Sequence, residues 1–342
     1  KIPGVHDGKF RVTVDASKLN SCMPRLHTML PTVTERVQAA AGWNYYSAFD
    51  MPDSFFQLPA DPRMAELYAF STHLGNFQWK NVLPQGDKNI PGHMTKVMGI
   101  VLQGLEGNCS SYIDDIFVYS NTAEEHVQHC KAMLARLHFH NLKLKTSKTV
   151  AGTTELRALG FRIDKNGFTP YSEQMEKFLL APFPNKDQLR SWMGLLNVFR
   201  PFLTRVDEIE KAFAAVRKKN AVWVVTQEMR DAFEKAKLMV SNMPILTFVD
   251  DTRPLILEVD ASHFGTGAVL LHEKIIEIDG IATTIKEPIR MTSHLFTSAA
   301  LKWPTIEKEG FAIVRALQAF ELLLLGRSFV IRTDHRNLLY MG

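Results

Sequence analysis

Apolar positions along this chain recur with two periods, and the changes between them mark out its elements. Residues 8–15 alternate, with Phe10, Val12 and Val14 set against Lys9, Arg11 and Thr13, as an exposed strand does. Residues 32–41 are amphipathic at helical spacing and end at Gly42, after which Tyr46 to Asp50 reads as a strand closing on a carboxylate. Residues 67–72 and 74–79 predict a hairpin with Gly75-Asn76 at its turn, and residues 92–105 a helix. In 111–120, apolar and aromatic residues flank Asp114-Asp115, which predicts two short strands turning back with both carboxylates at the tip. Thr122 and Glu125 form a capping box that opens a helix to about His140, and residues 159–168 predict a second hairpin turning at Asn166-Gly167.

Pro170, Pro182 and Pro184 then lead into three helical stripes. Leu189, Trp192, Met193, Leu196 and Phe199 form the first, Ile209, Ala212, Phe213 and Val216 the second, and Met229, Ala232, Phe233, Ala236 and Val240 the third. Stripes of this kind are the core of a small bundle. From Pro254 the pattern becomes mixed: a strand ending at Asp260, a hairpin partner over 265–271, a helix over 305–325 with Glu309 on the face of Ile313 and Ala316, and a strand delivering Asp334.

Composition narrows the class. The 342 residues are 46% hydrophobic, enough for two or three domains with real cores. Cys22, Cys109 and Cys130 stand far apart without a Cys-x-x-Cys, which argues against a disulfide framework or a zinc site and fits a reducing compartment. No apolar run has transmembrane length, and Lys1-Ile2-Pro3-Gly4 has neither an initiator Met nor the shape of a signal peptide, so a cytoplasmic piece of a longer chain is expected. The net charge of +4 says little, but its distribution says more: residues 126–154 contain no acid and carry Lys131, Arg136, Lys143, Lys145 and Lys148, a stretch suited to phosphates. His126 and His129 suggest a metal, but helical histidines are commonly exposed, which argues against that reading.

The chemistry lies in the carboxylates. Asp114 and Asp115 repel each other unless a cation sits between them, and Asp50 ends a strand able to bring a third carboxylate against that tip. Three such groups hold two magnesium ions roughly 3.5 to 4 Å apart in phosphoryl transfer. Asp250-Asp251, between Phe248-Val249 and Thr252-Arg253-Pro254, is an internal control that reads as an ordinary acidic turn.

At these residues the sequence resembles the reverse transcriptases. Tyr112-Ile113-Asp114-Asp115, Phe49-Asp50-Met51-Pro52-Asp53-Ser54-Phe55-Phe56-Gln57-Leu58, and Leu83-Pro84-Gln85-Gly86 between them stand in that family's order and spacing. The nearest likeness is to the polymerase polyprotein of long-terminal-repeat retrotransposons of the gypsy class, along essentially the whole chain. It implies an α+β right-hand polymerase (fingers, palm, thumb) followed by a truncated αβ ribonuclease H-like domain, with fingers and palm over 1–168, a helical thumb and linker over 169–243, and the ribonuclease H-like domain over 244–342. The resemblance makes Asp50, Asp114 and Asp115 the catalytic metal ligands. It assigns Arg11 to the triphosphate, Phe55 to exclusion of a 2′-hydroxyl, and Gln85 and Gly86 to the nucleotide pocket. It likens 159–168 to the primer-gripping hairpin and makes Lys186, Arg190, Arg200 and Arg205 available to phosphates. Asp260, Glu309 and Asp334 match three of the four ribonuclease H carboxylates, with no candidate for the fourth before Gly342. Two features depart from the family: the Gly4-Val5-His6 region lacks a basic residue, and Ile90-Pro91 stands where Ser-Pro is usual.

The implied cofactor is Mg2+, with Mn2+ as a substitute. The implied partners are an RNA or DNA template with its primer and deoxynucleoside triphosphates, with no membrane, and with room for flanking protease and integrase segments, a dimer and virus-like particles. Three readings compete: an element-derived nucleic-acid-binding or assembly module that has lost catalysis, an RNA-synthesising polymerase, for which a bulky Phe55 is out of place, and a structural αβ protein, which leaves six matched carboxylates unexplained.

Overall fold

The computed structural model of the chain describes residues 15–26, 31–64, 66–80, 82–218, 221–278 and 281–335. The strand expected over 8–14, and with it Arg11, lies outside the described residues. Two compact units emerge, one from residues up to 36 together with 43–156, the other from 37–42 together with 157 onward.

The first unit begins with α1 (Ser17–Cys22), and α2 (Val33–Ala40) crosses from it into the second. At the start of α2 the Glu35 N–H donates to Thr32 Oγ1 at 3.2 Å and the Thr32 N–H donates to Glu35 Oε2 at 2.9 Å, a reciprocal cap. β1 (Tyr45–Asp50) follows, then the small hairpin β2 (Phe70–Thr72) and β3 (Gly75–Phe77), then α3 (Ile90–Val101). The hairpin turns at His73-Leu74, because Thr72 is paired with Gly75; the turn stands two residues before the expected Gly75-Asn76. Thr72 Oγ1 accepts the Leu74 N–H at 3.0 Å, which starts the turn early, and Gly75 takes φ +125 as the strand resumes. α3 starts two residues before the expected Gly92, with Pro91 in its first turn, where a missing N–H costs nothing.

β4 (Cys109–Tyr112), β5 (Asp115–Ser120), α4 (Ala123–Phe139) and β6 (Val150–Thr153) complete this unit. Its sheet has the order β4-β5-β1-β6, and the β4/β5, β1/β5 and β1/β6 pairs are all antiparallel. The Thr122/Glu125 capping box is present as the sequence predicts. α3 and α4 lay Met94, Met98, Met133 and Leu137 against Phe49, Ile116 and Val118, so one face of the sheet is sealed and its strands are held in register.

The second unit opens with β7 (Leu156–Ala158), β8 (Phe161–Asp164) and β9 (Gly167–Pro170), a three-stranded sheet. Here too the turn lies early, by one residue, at Lys165-Asn166: Asp164 pairs with Gly167, and Asp164 Oδ1 accepts the Asn166 N–H at 2.8 Å. Gly167 has φ +143 and passes so close to Leu246 that a Cβ would stand 2.0 Å from its carbonyl oxygen. α5 (Ser172–Leu179), α6 (Lys186–Phe199), α7 (Val206–Phe213) and α8 (Gln227–Ser241) form the bundle, and all three predicted stripes face its core around Trp192, which packs on Phe178, Phe213 and Phe233.

β10 (Leu255–Ala261), β11 (Gly265–Ile278), β12 (Ile281–Leu295), α9 (Thr305–Ala319), α10 (Glu321–Leu324) and β13 (Phe329–Arg332) close the chain's described part. The sheet order is β12-β11-β10-β13, with β13 parallel to β10. The single helix expected over 305–325 breaks at the buried Phe320, which leaves helical geometry at φ −111 and anchors α10 to the sheet core. Asp250-Asp251 is an acidic turn: Asp250 Oδ1 accepts from the Thr252 N–H at 2.9 Å, and Asp251 pairs with Arg327. No helix of the described residues is long and apolar enough to cross a membrane.

Candidate functional site

Two carboxylate centres stand out, one in each unit. In the first, β1 and β5 set Asp50 directly opposite Asp115, and β4 and β5 pair Tyr112 with Asp115, leaving Ile113 and Asp114 as a two-residue tip. Ile113 is held at φ +56, a conformation costly for a β-branched residue. The Met51 N–H donates to the Asp114 carbonyl at 3.0 Å and the Lys145 N–H to the Asp50 carbonyl at 2.9 Å, so the tip is fixed on both sides. Asp115 is pushed up to about 6, first by burial and then by the charges of Asp114 and Asp50. Lys148, at the end of a 3₁₀ turn over Thr146–Lys148, donates to Asp50 Oδ1 at 2.8 Å, which raises its own pKa. An anionic cluster that draws an ammonium onto one of its oxygens fits a divalent cation held by the same groups. Sequence reading counted Lys148 only as part of a basic stretch. Its pairing with Asp50 depends on the β1/β6 contact and the 3₁₀ turn, and no local pattern announces it.

Phe55 lies in a 3₁₀ turn over Ser54–Gln57 that follows Asp53 at φ +49. It is half-buried, its ring resting on the core under β1 rather than enclosed by it. Gln85 and Gly86 form a turn in which Gly86 has φ +112 and its carbonyl accepts from Asn20 Nδ2 at 2.8 Å. Lys88 Nζ donates to the carbonyls of Asn20 and Met23, so the loop is tied to the segment around α1. His126 corrects the sequence reading: it is buried at 5% exposure, between Ser47 and Ser120.

In the second unit, parallel pairing of Glu258 with Arg332 brings Asp260 and Asp334, each two residues further on, to the same end of the sheet. α9 contributes Glu309 on its buried stripe with Ala312 and Ala316. Ligand atoms of Asp260, Glu309 and Asp334 all lie within 4.8 Å of one another, the one set of this kind among the described residues. Glu309 Oε2 is buried with no hydrogen-bond partner, and the carboxyl is pushed up to about 7, chiefly by burial and then by Asp334 and Asp260. An orphaned carboxylate oxygen facing two more carboxylates again fits a divalent cation.

The basic residues expected to be available to phosphates are partly engaged. Arg200 pairs with Glu210, Lys186 Nζ donates to the Ala221 carbonyl at 3.0 Å, and Arg205 Nη2 lies 3.3 Å from Asp260 Oδ2. The last contact was not foreseen, because bundle and sheet are separate patterns in the sequence.

Comparison with known proteins agrees with this division. Residues 3–163 match the family model described as reverse transcriptase (RNA-dependent DNA polymerase), and residues 250–342 match the RNase H-like domain found in reverse transcriptase. The retrovirus-related Pol polyprotein from transposon 297 of Drosophila melanogaster is 29% identical over 337 residues, 97% of this chain and 30% of that protein. The enzymatic polyprotein of Figwort mosaic virus is 29% identical over 97% of this chain and 49% of its own length, and the Tf2-3 polyprotein of Schizosaccharomyces pombe 27% identical over 97% and 25%. The chain thus spans between a quarter and a half of these relatives. Among solved structures, the foamy viral protease-reverse transcriptase in complex with RNA/DNA hybrid superposes with a TM-score of 0.80 at 22% identity, over 98% of this chain and 45% of that one. Its complex with dsDNA gives 0.81 at 23% identity, over 98% and 69%.

Proposed function

Since residues 3–163 belong to the reverse transcriptase family and residues 250–342 to the RNase H-like domains found in reverse transcriptases, we propose that this chain extends a primer with deoxynucleotides on an RNA or DNA template and carries a second, hydrolytic centre for the RNA of a hybrid. The observation that carries the reading is the register of Asp50 against Asp115 with Asp114 at the adjoining tip. Asp50, Asp114 and Asp115 would hold Mg2+, or Mn2+ in its place, and such ions supply charge stabilisation for the attacking and leaving oxygens of phosphoryl transfer. The chain itself orients: strand pairing fixes the carboxylates, burial keeps Asp115 short of other counter-charges, and Phe55 offers an apolar floor against which a 2′-hydroxyl does not fit. Gln85 and Gly86 border the nucleotide, and Arg11 is assigned to its triphosphate. Asp260, Glu309 and Asp334 would hold the metal of the hydrolytic centre.

The RNA/DNA hybrid and double-stranded DNA bound by the foamy viral proteins of this fold support the same substrates here. We further assign fingers and palm to 1–168, thumb and linker to 169–243 and the ribonuclease H-like domain to 244–342, within a polyprotein with protease and integrase segments that works in virus-like particles. The loss-of-catalysis reading has nothing in its favour at either centre. Primer extension on an RNA template with Mg2+ tests the proposal: extension by the wild type that Asp114→Asn abolishes supports it, and equal extension by both, or by neither at any Mg2+ or Mn2+ level, overturns it.

A further inference from the structure

The hydrolytic centre already contains a cation, and it comes from the helical bundle. Arg205 lies between the buried residues Leu203 and Val206 at φ +58, the left-handed conformation that turns the chain into α7 and directs its side chain out of the bundle. The placement is built. Two residues on, Asp207 is buried in the first turn of α7 against Gly265, where a Cβ would stand 2.5 Å from Asp207 Oδ2 and from the His294 carbonyl oxygen. One turn further, the Lys211 ammonium lies 3.3 Å from the centroid of the Phe264 ring. Thr204, Arg205 and Asp207 therefore form one wall of a cleft of about 500 Å3 whose other walls carry Ser262, Asp260 and Asp334.

Arg332 also lines this cleft, but Glu273 and Glu258 hold its guanidinium. Among the described residues Arg205 has only Asp260, at 3.3 Å, with both side chains 55% exposed. An exposed pair of this kind is weak. A divalent cation bound by Asp260 repels the guanidinium, yet the α7 seam keeps the Arg205 backbone at the rim of the cleft. The nearest anion of matching shape is then a phosphate oxygen of the nucleic acid entering it, which a guanidinium fork binds well.

We propose that Arg205 is a phosphate-binding residue of the ribonuclease H-like centre, supplied by the helical bundle and resting on Asp260 until a divalent cation takes that carboxylate. The inference rests on the hydrolytic reading of that centre. Its test uses binding alone, so the two fail separately. In an Asp114→Asn background, which weakens the other centre, Mn2+ binding is followed by electron paramagnetic resonance. Affinity for a fluorescent RNA/DNA hybrid is then measured across salt concentrations with Ca2+ in place of Mg2+.

Arg205→Ala is expected to bind Mn2+ about two- to fivefold more tightly, since a weak competitor is gone, and this gain should vanish when Asp260→Asn is added. The same variant should bind the hybrid about tenfold more weakly at low salt, with the log–log salt slope shallower by about 0.9, and Arg205→Lys should restore most of the loss. A merely structural residue would not move the two affinities in opposite directions. Unchanged Mn2+ affinity, or an unchanged salt slope in a variant that melts like the wild type, overturns the assignment. A wild type whose Mn2+ binding is unchanged by Asp260→Asn defeats the hydrolytic reading instead.

Discussion

The two centres each gather three acids, with a basic side chain resting on one of them, but they are assembled by different means. In the first, backbone register does the work: Asp50 faces Asp115 because β1 and β5 pair residue for residue, and Asp114 follows from the two-residue tip. In the second, Asp260 and Asp334 come from parallel strands, while Glu309 is delivered by a helix and its position depends on how α9 packs. The electrostatic result is alike, with Asp115 at about 6 and Glu309 at about 7, both raised chiefly by burial. A strand-built centre should therefore survive loss of a side chain with its geometry intact. A packing-built one should be sensitive to changes that touch no carboxylate.

The sharpest separation is chemical. Asp114→Asn is expected to lower primer extension by at least about a hundredfold while the melting temperature holds, because one ligand is lost from a tip whose strands remain paired. Hydrolysis of a hybrid should be slow at best, because Asp260, Glu309 and Asp334 match only three of the four ribonuclease H carboxylates, and what there is should fall with Asp260→Asn and not with Asp114→Asn. Loss of both activities in either single variant would mean that the centres are not independent.

A second contrast comes from the same spacing after each strand-ending acid. Phe55 lies five residues beyond Asp50, and Gly265 five residues beyond Asp260. At Gly265 the missing Cβ makes room for Asp207 and the His294 carbonyl, so Gly265→Ala should cost the second unit about 2 kcal/mol by overpacking, read as a lower midpoint in denaturant. The first unit should melt unchanged. Phe55→Val should leave deoxynucleotide extension in place and shift the ratio of kcat/KM for ribo- over deoxynucleotides up by roughly tenfold, the scale of a steric exclusion in an apolar pocket. A folded Phe55→Val protein with the wild-type ratio would return Phe55 to the role of core residue.

How much of this was legible in advance depended on whether the determining contact was local. The Thr122/Glu125 box and the three bundle stripes are local or periodic signals, and both appear where the sequence puts them. The two hairpin turns were misplaced for one reason. The glycine reads as a turn residue in each, whereas Thr72 and Asp164 accept the N–H two residues on and move the tip back, by two residues in the first hairpin and by one in the second. The six carboxylates stand out in the sequence because Asp50, Asp260 and Asp334 come at or just beyond strand ends, Asp114 and Asp115 at a hairpin tip and Glu309 on an apolar helix face. Lys148 and Arg205 were not matched to their acids, since 98 residues separate the first from Asp50 and 55 the second from Asp260. His126 was misjudged because a histidine near a helix start gives no sign in sequence of what covers it.

That histidine supports the smallest predicted effect, and it again divides the two centres. Ser47 lies on β1 three residues before Asp50, and Ser120 ends β5; His126 joins them, with Nε2 2.7 Å from Ser47 Oγ and Nδ1 2.9 Å from Ser120 Oγ. Ser47 Oγ accepts the Gly152 N–H at 3.0 Å, and Ser120 Oγ lies 2.7 Å from His129 Nδ1. A neutral His126 completes this chain by accepting from Ser47 and donating to Ser120, whereas a second ring proton would leave the Ser47 hydroxyl without its acceptor. Burial, and then the neighbouring His129, lower the His126 pKa from 6.5. Cys130, 3.7 Å from Nε2, and the Tyr45 ring at 6.3 Å are the other titratable groups against it. With the folded pKa below the unfolded one, the unfolded chain binds more protons in the interval between them. The stabilisation is therefore complete above about pH 6.5 and is lost as pH falls through the folded value, by no more than about 1.4 kcal/mol per pH unit. Asp115 titrates nearby with the opposite sign, its raised pKa favouring the folded state as pH falls. The informative quantity is thus the difference between wild type and His126→Gln, which share Asp115. The gap between their first-unit melting temperatures should narrow as pH is lowered from 7.5 to about 5.5 while the second unit shows none, and parallel curves would mean that His126 does not pin the strands carrying Asp50 and Asp115.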